Sequence, residues 1–188
     1  MDAESLSGKL LIAMPGIGDS RFEKSVILLC MHTPEAAMGL VLNKRKVDLV
    51  LGDVLEHLGV DAPDLVQNRA VLDGGPVKPD RGYVVHTRDF DAGEATQVVS
   101  DRLRLTATRE ILEVLGDAGM APERYVLALG YAGWGPGQLE NELLRNAWLI
   151  SDPDDEIVFG DDQDKKWVRA IRSLGIDPTM LSSSAGRA

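Results

Sequence analysis

Disulfides are the first thing this sequence excludes. Cys30 is the only cysteine among 188 residues, so no intrachain bridge and no cysteine-based metal cluster can form. Positive charge is also scarce: 20 Lys and Arg stand against 30 Asp and Glu, a formal net charge of −10. Phosphate recognition depends on cations that neutralise the backbone and release counterions, so direct nucleic-acid binding is not expected. The short basic run Lys44-Arg45-Lys46 reads as a solvated turn after a strand. No apolar run approaches the roughly 20 residues of a membrane span. The first ten residues, MDAESLSGKL, lack the basic segment and apolar core of a signal peptide, and a cytoplasmic location is the simplest reading. Zinc-protease, dinucleotide and P-loop signatures are all missing, so no metal and no cofactor is implied.

The apolar fraction of 44% and charged fraction of 27% are those of an ordinary globular protein. A chain of this size buries roughly 70% of its unfolded surface, enough for one core. The expected organisation is an N-terminal tail over residues 1–7, a single domain over 8–176 and a mobile, serine-rich tail over 177–188.

Strands are expected at 10–14, 26–32, 38–43, 70–72, 82–87, 95–99, 103–106, 124–131 and 147–150. The run at 26–32 is continuously apolar; strict alternation places Val26, Leu28, Cys30 and His32 on one face and Ile27, Leu29 and Met31 on the other. Ser20 and Glu23 have capping-box spacing for one helical turn. Helices are expected at 48–58, where Leu51, Val54, Leu55 and Leu58 form a stripe, after Thr108, at 137–146, and at 162–174, whose acids precede its bases. Strands joined by short turns and irregularly interrupted by helices make an α+β pattern with a mixed, mainly antiparallel sheet.

The most informative stretch is 129–148, LGYAGWGPGQLENELLRNAW. Glycines at 130, 133, 135 and 137 between a strand and a helix could gather backbone N–H groups around an anion, but the spacing is wrong for a phosphate loop and Pro136 removes a donor. Tyr131 and Trp134, with Gly133 and Gly135, are instead candidates for a ligand or partner surface. Gly74 and Gly75, in the turn Asp73-Gly74-Gly75-Pro76, are candidates for a small-molecule groove, against the plain alternative of a tight turn. Cys30, His32 and His86 would be the participants, with Asp73, if the protein were an enzyme. A thiol meeting an imidazole is the arrangement nucleophilic catalysis requires, yet a cysteine inside an apolar strand is inert. No catalytic residue is assigned. The acidic residues between Asp152 and Asp164 read as a solvated loop and a helix N-terminus.

Several separated motifs carry a family resemblance: Gly8-Lys9-Leu10-Leu11-Ile12-Ala13-Met14-Pro15, Gly39-Leu40-Val41-Leu42-Asn43-Lys44, Gly74-Gly75-Pro76, Arg81-Gly82 with His86-Thr87, Leu129-Gly130-Tyr131-Ala132-Gly133-Trp134, Gly137-Gln138-Leu139-Glu140 and Asn146-Ala147-Trp148-Leu149. In this order, over residues 8–175, the chain resembles the AlgH/YqgE family of bacterial proteins. The resemblance implies an α+β fold with a bifurcated sheet that includes a small closed barrel, flanked by helices. It implies no established activity and no catalytic set, only an association with transcriptional control. The expectation is therefore a non-enzymatic binding or regulatory protein, acting through an unidentified protein partner or small ligand. An enzyme using Cys30, His32 and His86 near a glycine-rich cleft, or an oligomeric scaffold, is the alternative.

Overall fold

A computed structural model describes residues 4–181. Among these residues lie ten strands and six α-helices, a mixed α+β fold. The chain divides into two compact units, one made of residues up to Asn43 together with those from Ala132 onward, the other of Lys44–Tyr131.

The first unit contains β1 (Leu10–Ala13), β2 (Val26–His32), β3 (Ala37–Val41) and β10 (Trp148–Ser151). It also takes the last three residues of β9 (Tyr125–Trp134), which pair with β3. The ladder β10-β1-β2-β3-β9 is antiparallel throughout. On one face Leu11, Ala13, Ile27, Leu29, Val41, Ala132, Trp134 and Trp148 form a core with Leu139 of α4 (Gln138–Leu144). A second helix, α6 (Gln163–Ser173), packs on β1 and β2 and buries Trp167, Ala170 and Ile171. Trp167 Nε1 donates to the Ala13 carbonyl at 2.8 Å.

Just past the end of β3 the Asn43 side chain takes the place of a ladder partner. Val26 N–H donates to Asn43 Oδ1 at 2.9 Å rather than to the ladder, and Asn43 Nδ2 donates to the Lys24 carbonyl. The Leu42 carbonyl instead accepts from the ammonium of Lys166, which is 2% exposed. Burial pushes this lysine down to about 8, because a desolvated ammonium is costly.

The second unit runs β4 (Arg45–Val50), β5 (Ala70–Asp73), the first part of β9, β6 (Val77–Thr87), β8 (Leu103–Thr106) and β7 (Thr96–Val98). Here β5 is parallel to β9 and the other pairs are antiparallel. Thus β9 holds three different neighbours along its length, which is the branching expected of the sheet. Among the described residues β4 and β7 stand at the two ends of this ladder, with no pairing between them. Leu51, Leu55, Val71, Val84, Ile111, Leu115, Tyr125 and Leu127 make its core, drawing on α1 (Leu51–His57) and α3 (Arg109–Leu115).

Several local expectations shift. The helix expected from residue 48 begins at Leu51, because Asp48 has φ +59° and Val50 is extended, its N–H taken by Asp53 Oδ2. The turn at Ser20–Phe22 is capped by Asp19, not by Ser20. The acidic stretch holds α5 (Asp155–Phe159), capped where Asp154 accepts from Ile157 N–H at 2.8 Å. A short helix, α2, forms at Asp64–Gln67. In the expected C-terminal tail Pro178–Met180 form a single turn capped by Asp177; residues 182–188, like residues 1–3 of the N-terminal tail, lie outside the described residues.

Candidate functional site

The glycine-rich stretch does not open as a loop at residue 130. Strand β9 continues through it to Trp134, and only Gly135, Pro136 and Gly137 turn the chain into α4. The reason for Gly130 lies in the connection between β5 and β6. These strands flank β9 on opposite sides, so the chain between them must cross it. Gly74 N–H donates to the Leu129 carbonyl at 2.9 Å, and a Cβ on Gly130 would stand 2.3 Å from the Gly75 oxygen and 3.2 Å from Pro79 Cα. Gly130 has φ +77°. It is glycine because another piece of backbone occupies the place of its side chain.

This crossing brings Gly74, Gly75 and Tyr131 together in the second unit. Both glycines are buried and Tyr131 is half-buried. Tyr131 pairs with Val77, and its ring meets Tyr83 edge-on at 5.7 Å. The Arg81 guanidinium lies 5.6 Å from the Tyr83 ring centre, a cation–π arrangement. Burial raises the Tyr83 phenol above its usual range, opposed by Arg81. Val77 pairs with Tyr131 and Gly82 with Leu129, so Lys78, Pro79, Asp80 and Arg81 bulge outward, all exposed. Of the candidate residues in the second unit only Tyr131 is part-exposed, and this bulge, which the sequence reading did not mark, lies beside it.

Gly133, Trp134 and Gly135 belong to the first unit. The two glycines are exposed, whereas Trp134 is 5% exposed. Its indole donates to Glu142 Oε2 at 2.9 Å, and Trp148 donates to the same oxygen at 2.8 Å. The two rings cross at 76° with centroids 6.1 Å apart, and Glu142 Oε1 accepts from Gln138. The Trp134 ring is thereby a packing element that ties α4 to the sheet. Glu142 was invisible as a site residue, since nothing in its spacing distinguishes it from other helix-surface acids.

Of the residues named for the enzyme alternative, His86 belongs to the second unit and Cys30 with His32 to the first. Strict alternation fails on β2. Leu29 pairs with Gly39 and Met31 with Met38, so Cys30 is an extra residue in a β-bulge. Beyond it His32 pairs with Ala37, a member of the Ile27–Leu29 core. His32 is thus carried to the face of Ile27 and Leu29, away from the Val26–Leu28 face that alternation assigned to it. Cys30 is fully buried, with its thiol pushed up to about 12 by burial. A thiol in that state supplies no nucleophile near neutral pH.

Both histidine rings are committed. His86 is fully buried; Nδ1 faces the Thr87 carbonyl at 2.8 Å and Nε2 faces Thr106 Oγ1 at 2.8 Å. A carbonyl only accepts, so the proton is on Nδ1 and the Thr106 hydroxyl donates to Nε2. Thr96 Oγ1 then donates to Thr106 Oγ1 and accepts from Ala92 N–H. Burial lowers the His86 affinity for a second proton, opposed mainly by the Thr87 carbonyl and Asp89. Thr106, polarised by this imidazole, is itself fully buried and out of reach of any substrate. His32 Nδ1 accepts from Leu6 N–H at 3.0 Å, and Nε2 lies 2.7 Å from Glu140 Oε1. That hydrogen bond holds the Glu140 carboxyl below its usual range.

A family model described as AlgH-like matches residues 10–179. A UPF0301 protein of Caulobacter vibrioides is 48% identical over 187 residues, covering 100% of this chain and 96% of its own. One from Paracoccus denitrificans is 49% identical over 191 residues, with 100% of both covered. The solution structure of the AlgH protein from Pseudomonas aeruginosa superposes with a TM-score of 0.78 at 36% identity, covering 100% of this chain and 98% of that one. A protein from Corynebacterium diphtheriae shares the fold at a TM-score of 0.69 and 21% identity, covering 97% of this chain and 94% of its own.

Proposed function

The chain belongs to the AlgH-like family, and from that premise we propose that it is a non-enzymatic binding or regulatory protein. It acts in the cytoplasm on a protein partner or small ligand, with any role in transcription exerted indirectly. The observation that carries this reading is the state of its reactive side chains. Cys30 is sealed with its thiol at about 12, His86 is buried with both ring nitrogens hydrogen-bonded, and His32 is bonded at both nitrogens. Beside Tyr131 a bulge carrying Lys78 and Arg81 is presented to solvent, which supports an interaction surface. Among the described residues no helix is long and apolar enough to cross a membrane.

The test is affinity capture from native lysate by the wild-type protein and by Tyr131→Ala, with circular dichroism as the folding control. Selective loss of a saturable partner in Tyr131→Ala is the expected result. Identical recovery by both proteins would remove this surface from the argument. Turnover of any substrate that is abolished by Cys30→Ala or His86→Gln, in variants that keep their fold, would overturn the non-enzymatic reading itself.

A further inference from the structure

Residues opposite one another on paired strands share a face of the sheet. In the second unit Arg45 pairs with Leu72, Leu72 with Ala128 and Ala128 with Tyr83. Val71, Leu127 and Val84, which alternate with the last three, bury on the other face among residues of α1 and α3. The chain between β5 and β6 crosses on the face of Arg45. Gly130 follows Ala128 by two residues, and it is its missing Cβ that would meet Gly75 and Pro79.

Cations gather on both sides of this crossing. The Lys44 carbonyl accepts from Asp73 N–H at 2.8 Å, where the crossing begins, and Arg45 follows, exposed. β4 then leaves the ladder, since Arg45 and Val50 stand opposite Leu72 and Ala70, and Lys46 lies in that bulge. On the far side the β6 bulge carries Lys78 and Arg81, with the Arg81 guanidinium 5.6 Å from the Tyr83 ring centre. Among the described residues none of Arg45, Lys46, Lys78 and Arg81 makes an ion pair, whereas Lys9, Arg21, Arg109, Lys165 and Arg169 each meet a carboxylate. The acids on the same segments, Asp48, Asp73 and Asp80, are fewer than the cations.

We propose that this face binds an extended acidic segment of a protein partner, with two carboxylates about four residues apart and an apolar residue between them. Arg45 and Tyr83, over which Arg81 lies, are separated by three strand spacings, about 14 Å. One phosphate or carboxylate cannot bridge that distance, whereas four residues of extended chain span about 13 Å. Between the two cations, half-buried Tyr131 and its pair Val77, which is 36% exposed, offer an apolar contact. The net charge of −10 repels polyanions elsewhere on the chain, and so few cations cannot hold a nucleic acid against it. The partner so specified presupposes the interaction surface at Tyr131.

The experiment uses the full chain and a fluorescein-labelled Gly/Ser peptide that contains Glu-Gly-Leu-Gly-Glu, with binding read by anisotropy. The acidic peptide should bind, and the same peptide with Gln for both Glu should not. Arg45→Gln and Arg81→Gln should each weaken binding about threefold, the worth of one exposed charge pair, and together about tenfold. Arg88→Gln removes an exposed charge from the same unit and should leave the affinity unchanged. Raising the salt should weaken the wild-type complex and barely affect the residual binding of the double variant. Equal binding of the Gln peptide, or a double variant equal to wild type, would overturn the acidic partner. So would tighter binding of a duplex DNA of equal charge, or self-association in sedimentation that the double variant abolishes. Lysate capture separates the two levels. Loss of a partner in Tyr131→Ala but not in the Arg45→Gln/Arg81→Gln variant would refute the acidic chemistry and keep the surface; loss in neither would refute the surface itself.

Discussion

Alanine substitution along one glycine run separates backbone strain from steric exclusion. Gly135 does not have positive φ, and a Cβ there would meet nothing within 4 Å; Gly135→Ala should be neutral or slightly stabilising through the unfolded chain. Gly137 has φ +69° and equally open space, so Gly137→Ala carries only left-handed strain, about 1 kcal/mol. Gly130 combines φ +77° with a Cβ position 2.3 Å from the Gly75 oxygen and 3.2 Å from both Pro79 Cα and the Val77 oxygen. All three neighbours are backbone and cannot rotate aside. The crossing chain must lift, losing the bond from Gly74 N–H to the Leu129 carbonyl, worth about 1 kcal/mol, in addition to an overpacking cost of about 1–3 kcal/mol. The sum is about 3–5 kcal/mol, a large part of the roughly 5–15 kcal/mol that stabilises such proteins. Equilibrium urea unfolding of the three variants should rank them Gly135, Gly137, Gly130. Asparagine sharpens the contrast, since it tolerates the left-handed region but still brings a Cβ. It should be nearly harmless at 137 and nearly as damaging as alanine at 130. If Gly130→Ala cost no more than Gly137→Ala, the chain would not cross β9 at that point.

Lys166 sets a pH dependence. Its folded value of about 8 lies below the 10.5 of the unfolded chain, so between these values the unfolded state binds more protons and stability rises with pH. The rise is about 3 kcal/mol at most, and Lys166→Met should abolish that slope in denaturation curves recorded from pH about 8 to about 10.5. His86 acts with the same sign at lower pH. Its folded affinity for a proton is lowered, so stability falls as the pH drops through the unfolded value of about 6.5, and thermal melts of His86→Gln should show a shallower acid loss. Among the described residues the Tyr125 hydroxyl is buried without a hydrogen-bond partner; Tyr125→Phe should therefore raise the urea midpoint or leave it unchanged, and a loss above about 1 kcal/mol would show that the hydroxyl is satisfied. Glu142→Ala should cost about 2–4 kcal/mol in the same assay, because it leaves two indole N–H groups unpaired, whereas Glu142→Gln, which retains an acceptor oxygen, should lose less than half of that.

Apolar periodicity made the larger elements legible. The continuous run of β2, the stripe of Leu51, Leu55 and their neighbours, and the acid-before-base pattern of α6 each correspond to a real element near its expected bounds. What periodicity missed is local and has local causes. The helix after β4 is delayed by one residue with positive φ, Asp48, and by an Asp53 side chain that holds the Val50 amide. α5 is too short to show a stripe and is set by one cap, Asp154. The candidate site was legible as a set of residue types but not as an arrangement. Gly74, Gly75 and Gly130 were marked as unusual from composition alone, yet their common reason is a chain crossing between strands far apart in sequence, which no window along the chain contains.

The bulge at Cys30 has the wider consequence. A single inserted residue inverts the face of everything beyond it on the strand, so the thiol–imidazole pair suggested by alternation depended on one register step. The step moved His32 out of a catalytic hypothesis and into contact with Leu6 on one side and Glu140 on the other. Residue type alone could not distinguish these roles, because a buried imidazole with two fixed partners and a catalytic one are the same letter in the sequence. The distinction lies in which atoms face each ring nitrogen. For His86 both partners are inside the fold, whereas for His32 one of them, Leu6, is in a segment near the chain terminus. That makes the bonded state of His86 a constraint on stability and the bonded state of His32 a constraint on where the N-terminal segment lies.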